Sequence, residues 1–279
     1  GLLVLVDGHS LAYRAFFALP ADLKTSRGEV TNAVLGFTSM LLNVLRDEHP
    51  TYVAITFDKG RTFRHDIYAQ YKAHRAKMPD EMQPQMERIR QVVEALSIPI
   101  FEKEGYEADD LLGTLASQAS ACKVNTLIVT GDTDLLQLVD AYIQVLTSRW
   151  RFSDTKMYDV TGVEKRYGLA PEQLVDYKAL VGDKSDNIPG VRGVGEKTAT
   201  RLLRQYQTLD GIYDHIAEVQ PRFRTKLEAG RELAYLSQTL VTIVRDAPVH
   251  LELDACRVAT FDRGRVLDLF HELEFQALR

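Results

Sequence analysis

Nine of the 39 acidic residues in this 279-residue chain stand where one chemistry could use them together. Asp7 directly follows the apolar run LLVLV, Asp58 follows YVAITF, and Asp132 and Asp134 follow TLIVT and a glycine. Glu107, Asp109 and Asp110 open the amphipathic stretch YEADDLLGTLA, and Asp183 and Asp186 punctuate LVGDKSDNIPG. Each has a plain structural use. Asp109 or Asp110 alone would serve the first turn of a helix, and Asp183 or Asp186 would serve an Asx turn beside glycine and proline. Gathered without compensation, so many carboxylates would repel one another by several kcal/mol and raise some of their pKa values. Divalent cations remove that penalty, and an oxygen-only donor set without a Cys or His cluster favours Mg²⁺ or Mn²⁺ over zinc.

The elements that must position these acids follow from periodicity. Over the first 165 residues short apolar runs alternate with amphipathic stretches. Strands are expected at 2–6, 52–57, 99–102, 126–130 and 143–147, and helices over Ala33–Leu45, Pro84–Leu96 and Asp109–Ser120. Strand and helix in alternation imply an α/β domain with a mainly parallel sheet. The carboxyl ends of such strands share one edge, where ligands gather, so three runs that each end in aspartate would converge there. From about residue 166 short helices broken by glycine and proline take over: Pro171–Val181, Glu196–Gln205, Leu209–His215 and Arg231–Leu240. A strand-like HLEL and a helix over Asp262–Leu273 close the chain.

The net charge of −5 argues against a phosphate-rich partner until its distribution is considered. Lys59, Arg61, Arg64, Lys72, Arg75 and Lys77 face only Asp66, and Arg192, Lys197, Arg201 and Arg204 face only Glu196. Setting the nine candidate ligands aside leaves 30 acids against 34 basic residues, so positive charge is segregated as a nucleic-acid partner requires. Residues 59–82 have weak periodicity and read as a loop or as helices that order against a partner. Two cysteines, Cys122 and Cys256, exclude a disulfide framework and are expected to be buried. Apolar runs fall short of the ~20 residues of a membrane helix, and the chain is expected to be soluble, cytoplasmic and monomeric. No GxSxG, GxxxxGK[ST] or strand-borne GxGxxG occurs, and no second aspartate follows Asp7 two residues on. GVRGVGEKT follows a loop and fits a phosphate contact through backbone N–H groups at a helix start.

LVDGHSLAYRAFFAL, TFDKGRTFRHDIYAQYKAHRAKMPDEM, GYEADDLLGTLA, VTGDTDLLQLV and LVGDKSDNIPGVRGVGEKTA resemble, in order, the motifs of the 5′-nuclease (flap endonuclease) superfamily. Within it the similarity is to the 5′→3′ exonuclease domains of bacterial DNA polymerases I. The resemblance implies a PIN-like α/β nuclease core over 1–165, with a helical arch at about 59–82, and a helix-hairpin-helix DNA-binding region over 166–279. It implies a two-metal site in which Asp7, Asp58, Glu107, Asp109 and Asp110 serve one part and Asp132, Asp134, Asp183 and Asp186 the other. Tyr71, Lys72 and Arg75 match the arch element YKxxR, and Arg14 matches an arginine beside the cleavage site. Gly190, Gly193, Gly195, Lys197, Thr198 and Arg201 match the hairpin that grips the duplex, with K⁺ held by main-chain carbonyls. Thr133 stands where relatives often carry lysine.

The implied activity is metal-dependent hydrolysis of DNA at 5′ flaps, nicks and 5′ ends in bacterial replication and repair, by an N-terminal portion of a longer polymerase. Tyr71, Tyr13 or Phe16 would stack on bases, while Phe16 and Phe17 read primarily as core and His9, His65 and His74 as packing or surface residues. The rival readings are a PIN-like ribonuclease and a non-catalytic junction-binding module.

Overall fold

The continuous apolar runs become the middle of one sheet because both of their faces are covered. In the computed structural model, which describes residues 1–148, 155–258 and 261–278, the strands are β1 (Leu2–Asp7), β2 (Tyr52–Thr56), β3 (Ile100–Phe101), β4 (Asn125–Thr130), β5 (Ile143–Ser148) and β6 (Thr155–Tyr158). Their order is β3-β2-β1-β4-β5-β6, parallel except for the β5–β6 pair. The chain grows outward from β1 to β2 and β3 on one side and through β4 and β5 on the other, which makes the β1/β4 boundary a topological switch point. Register aligns Asp7 with Thr56 and Val6 with Val129, so β1, β2 and β4 end together.

The helices are α1 (Gly8–Ala18), α2 (Asn32–Glu48), α3 (Phe63–Ile67), α4 (Gln83–Ala95), α5 (Ala108–Ala121), α6 (Val160–Tyr167), α7 (Leu174–Val181), α8 (Glu196–Tyr206), α9 (Leu209–Asp214), α10 (Pro221–Ala229), α11 (Arg231–Val241) and α12 (Arg263–Glu272). Val4 and Val6 point to one face of the sheet, where Phe37, Ile89 and Phe270 bring in α2, α4 and α12. Leu3 and Leu5 point to the other, against Leu112 and Leu115 of α5 and Ile243 beyond α11. A separate core of Leu180, Leu203, Leu209, Ile212, Leu227 and Ala234 holds α7 to α11 together.

Several expectations change in the structure. HLEL is not a strand: Leu251 N donates to the Gln118 side chain, and a 3₁₀ turn begins at Leu253. Strand β6 and helices α1, α3, α6 and α10 arise where no periodicity marked them. Cys122 is exposed at the end of α5, and only Cys256 is buried. Residues 266–275 join the cluster of α2 and α4 on one face of the sheet rather than the helical region, so the end of the chain returns to the α/β core. Among the described residues no helix is long and apolar enough to cross a membrane.

Candidate active site

Asp7 ends β1 and caps α1. Its carboxylate accepts from Ser10 N at 3.0 Å and from Thr130 Oγ1 at 2.8 Å, which ties the ends of β1 and β4. A Cβ on Gly8 would sit 2.4 Å from the Phe57 ring, so only glycine allows this turn against β2. Asp58 Oδ1 accepts from Ala108 N at 2.7 Å, capping α5 from a different strand, while Asp58 N donates to His9 Nδ1 at 3.0 Å. Asp132 accepts from Asp134 N at 2.8 Å at the start of a 3₁₀ turn over Thr133–Leu138. Arg14 packs against Gly131, where a Cβ would lie 2.2 Å from its Nη2.

The charges show what this convergence costs. Burial, with Asp58 and Asp132 adding to it against the Ser10 and Thr130 bonds, pushes the Asp7 carboxyl up to about 7. Burial and then Asp7, Asp132, Glu107 and Asp58 hold Asp109 well above the usual carboxylate range. Burial and Asp132 push Asp134 up to about 7 against the opposing pull of Lys178. These are the shifts expected of acids crowded at low dielectric with too few cations.

Elsewhere in the site, internal cations compensate the acids. Lys178 Nζ lies 2.5 Å from an oxygen of Asp134 and 2.5 Å from one of Asp183. Lys178 thus bridges the two acids, on Asp134 Oδ1 and Asp183 Oδ2. Asp183 also accepts from Ser185 N at 2.8 Å, an Asx turn. Burial works against its ionisation, but Lys178 and Ser185 outweigh it and hold its pKa low. Lys72 Nζ reaches both oxygens of Glu107 at 2.9 Å and stands 3.8 Å from Asp186, which Arg75 also pairs.

Asp110 does not face the other acids. One oxygen accepts from Arg64 Nη1 at 2.7 Å and Glu107 N at 3.0 Å, the other from Arg64 Nη2 at 2.8 Å and Val244 N at 2.9 Å. It is 0% exposed and Arg64 2%, and with four donors it has no lone pair to offer an ion. The expected ligand role fails because Arg64 lies inside the protein rather than on a DNA-facing surface. Arg64 and Lys178 were not singled out from sequence, since each sits in a stretch where a cation reads as surface charge. The capping box between Glu107 and Asp110 was the one available signal.

Residues 59–82, where the arch is expected, form α3 and a set of turns. Lys72 adopts the left-handed region at φ 54, uncommon for a side chain-bearing residue. Its N–H donates to Asp186 O, Asn187 Nδ2 donates to Gln70 O, and His74 Nε2 lies 2.8 Å from Lys184 O. Two charged loops are thereby buttoned together over the acids. Tyr71 is 3% exposed and donates to Glu107 at 3.2 Å, so it cannot stack on a base as expected. Phe17, expected in the core, is 73% exposed beside Tyr13 and the half-buried Phe16. A cavity of about 20 Å³ between Tyr71, Glu107, Asp109, Asp134 and Asp186 has room for about one water.

Donor chemistry fits hard divalent ions: carboxylates only, several held at raised pKa. With Lys72, Arg75 and Lys178 drawn onto the acids, no group of three His, Cys, Asp or Glu side chains among the described residues is arranged to hold an ion. In the helical region, Gly190, Gly193 and Gly195 lie in the loop and turn before α8, and Lys197, Thr198 and Arg201 lie in the helix that follows.

Comparison with known proteins agrees with this geometry. The 5′-3′ exonuclease N-terminal, resolvase-like domain matches residues 2–168, and the 5′-3′ exonuclease C-terminal SAM fold matches 169–264. DNA polymerase I of Chloroflexus aurantiacus is 53% identical over 278 residues, 98% of this chain and 30% of that protein. DNA polymerase I of Bacillus subtilis is 44% identical over 278 residues, 99% of this chain and 32% of that protein. The chain thus spans about a third of the length of these relatives. Among solved structures, bacteriophage T5 5′-exonuclease with divalent zinc superposes with a TM-score of 0.75 at 18% identity, covering 99% of this chain and 100% of that one. The catalytic core of Rad2 in complex with DNA substrate gives 0.64 at 15% identity, covering 97% and 86%.

Proposed function

Because the chain belongs to the 5′-3′ exonuclease family, we propose that it hydrolyses DNA phosphodiesters at 5′ flaps, nicks and 5′ ends, removing primers as the nuclease portion of a DNA polymerase I in the bacterial cytoplasm. The observation that carries this reading is the convergence of Asp7, Asp58, Asp109 and Asp132 at the switch point, where burial and the neighbouring acids raise the Asp7 and Asp109 carboxyls. In this reading Asp7, Asp58, Glu107, Asp109, Asp132, Asp134, Asp183 and Asp186 hold Mg²⁺ or Mn²⁺, directly or through water, and Asp110 fixes α5 beneath them. Two such ions supply water activation and neutralisation of the leaving oxygen, so no protein nucleophile is needed.

The chain's own cations then change partners. Lys72 and Arg75, held on Glu107 and Asp186, turn to the scissile phosphate when those acids are engaged elsewhere, and Arg14 meets the same phosphate from α1. Tyr71 positions Glu107. The hairpin at 190–195 and Lys197, Thr198 and Arg201 grip the duplex without reading sequence, because phosphate contacts carry no base information. K⁺ at the hairpin carbonyls belongs to this reading too. Lys226 Nζ reaches Gly193 O at 3.2 Å and would compete for that carbonyl.

A labelled 5′-flap duplex tests the proposal. Cleavage should require Mg²⁺ or Mn²⁺, and Asp7→Asn should lower it about a thousandfold, the several kcal/mol that metal-assisted charge stabilisation supplies. No cleavage by the parent protein in either metal would sink the reading. Preference for the matching RNA flap would point to a ribonuclease.

A further inference from the structure

A second concave surface lies away from the acids, between α6 and α8. It encloses about 480 Å³ and is lined by Arg166, Tyr167, Tyr177, Lys197, Arg201 and Arg204, with Glu196 as the single carboxylate. All four cations are exposed, and among the described residues none forms an ion pair with a carboxylate. The three arginines are nevertheless held in place. Arg166 Nη1 donates to Tyr158 Oη at 2.5 Å, with its guanidinium 5.0 Å from the Tyr167 ring centroid. Arg204 Nε donates to Gly168 O at 2.7 Å. Gly168 is left-handed at φ 68, and a Cβ there would lie 2.1 Å from Arg204 Nη2, so this close seat requires glycine. Arg201 stands 5.1 Å from the Phe223 ring centroid.

Guanidinium groups fixed by neutral partners keep their full charge and unused donors, the arrangement that recognises phosphate oxygens. Lys197, Arg201 and Arg204 recur at helical spacing on one face of α8. Their run of ~10 Å along the helix compares with one phosphate per ~3.4 Å of duplex axis on each strand. We propose that this cavity is a second phosphate-binding site, which takes consecutive phosphates of the duplex strand leaving the hairpin at 190–195 and extends the grip from α8 onto α6. Arg166 and Arg204 are its new members. The proposal rests on the DNA-nuclease reading above; it shares Lys197 and Arg201 with that duplex grip and adds Arg166 and Arg204.

The test measures affinity by fluorescence anisotropy in EDTA, using 5′-flap duplexes of increasing length. Arg166→Gln combined with Arg204→Gln should weaken binding to long duplexes about tenfold. It should reduce the slope of log affinity against log salt by about 2, near 0.9 per phosphate lost, and leave short duplexes unaffected. Thr200, which also lines the cavity, provides a control against misfolding: Thr200→Glu should weaken and Thr200→Lys strengthen long-duplex binding. Equal losses at every length, or the same direction for both Thr200 variants, would overturn the proposal. So would displacement of the long duplex by free deoxyadenosine monophosphate at micromolar concentration, which would make the cavity a nucleotide site. Metal-dependent flap cleavage is measured in parallel. Its absence with the length effect intact refutes only the nuclease reading, and its presence without the length effect refutes only the second site.

Discussion

The acid pocket and the outer face of α8 use the same cations in opposite ways. In the pocket, Arg64, Lys72, Arg75 and Lys178 are each spent on a carboxylate; on α8, Lys197, Arg201 and Arg204 are held by neutral neighbours or by none and keep their charge for a ligand. A count of basic residues therefore does not measure affinity for phosphate. What decides is whether a carboxylate lies within reach, and the two stretches that look equally basic in sequence differ on this point. Of the first, Arg64 is entirely structural.

That contrast can be broken at three places, the largest effect first. Arg64→Ala removes one partner of a buried, bidentate pair and strips the donors from the Leu240 and Thr242 carbonyls. It should cost about 3–5 kcal/mol in chemical denaturation, the penalty for leaving Asp110 charged and alone. A loss below about 1 kcal/mol would show that Arg64 belongs with the ligand-facing cations after all.

The second concerns pH. A carboxyl whose native pKa exceeds its unfolded value binds its proton more tightly when folded. Asp7, raised from 3.8 to about 7, thus favours the native state below about pH 4, and this stabilisation is lost as pH rises through about 7. The metal-free protein should lose on the order of 2–4 kcal/mol across that window, and Asp7→Asn should flatten the loss. Added Mg²⁺ should restore stability at pH 8 but not at pH 4. An Asp7→Asn profile identical to the parent's would show that crowding is relieved by some other route.

Lys178→Met is the third and smallest. Without the ammonium between Asp134 and Asp183 the metal-free protein should weaken by about 2 kcal/mol, the scale of a lost charge-assisted hydrogen bond. The apparent affinity for Mn²⁺, followed by calorimetry, should rise because a bound ion no longer competes with a resident cation. A fall in both quantities would make Lys178 a support for the metal site rather than a stand-in.

Much of this was legible in sequence because it depends on local pattern. Runs such as LLVLV and TLIVT announce strands covered on both faces, and an aspartate directly after each must lie at their common edge. Asp110 was misassigned because its neighbours Glu107 and Asp109 do face the pocket, and which way a helix turns its third residue depends on Arg64, 46 positions away. The same limit explains Tyr71: an aromatic in a charged loop reads as a stacking platform until the loop folds back and buries it. Helices α6 and α10 left weak signals because their apolar faces are short, with Val163 the only fully buried residue of α6.

One further consequence follows from the segment after α11. Its backbone is gripped by side chains: Gln137 at Val241 and Ile243, Asp110 at Val244, Thr114 at Ala247 and Gln118 at Val249 and Leu251. Gly113 lets it approach, since a Cβ there would lie 2.9 Å from Val244 O. Recognition of a main chain is indifferent to the residues that chain carries. Substitutions at the exposed Asp246 and His250 should therefore be tolerated as long as none is proline, and the amides of Val244, Ala247 and Leu251 should exchange with deuterium as slowly as those of a central strand although no strand contains them.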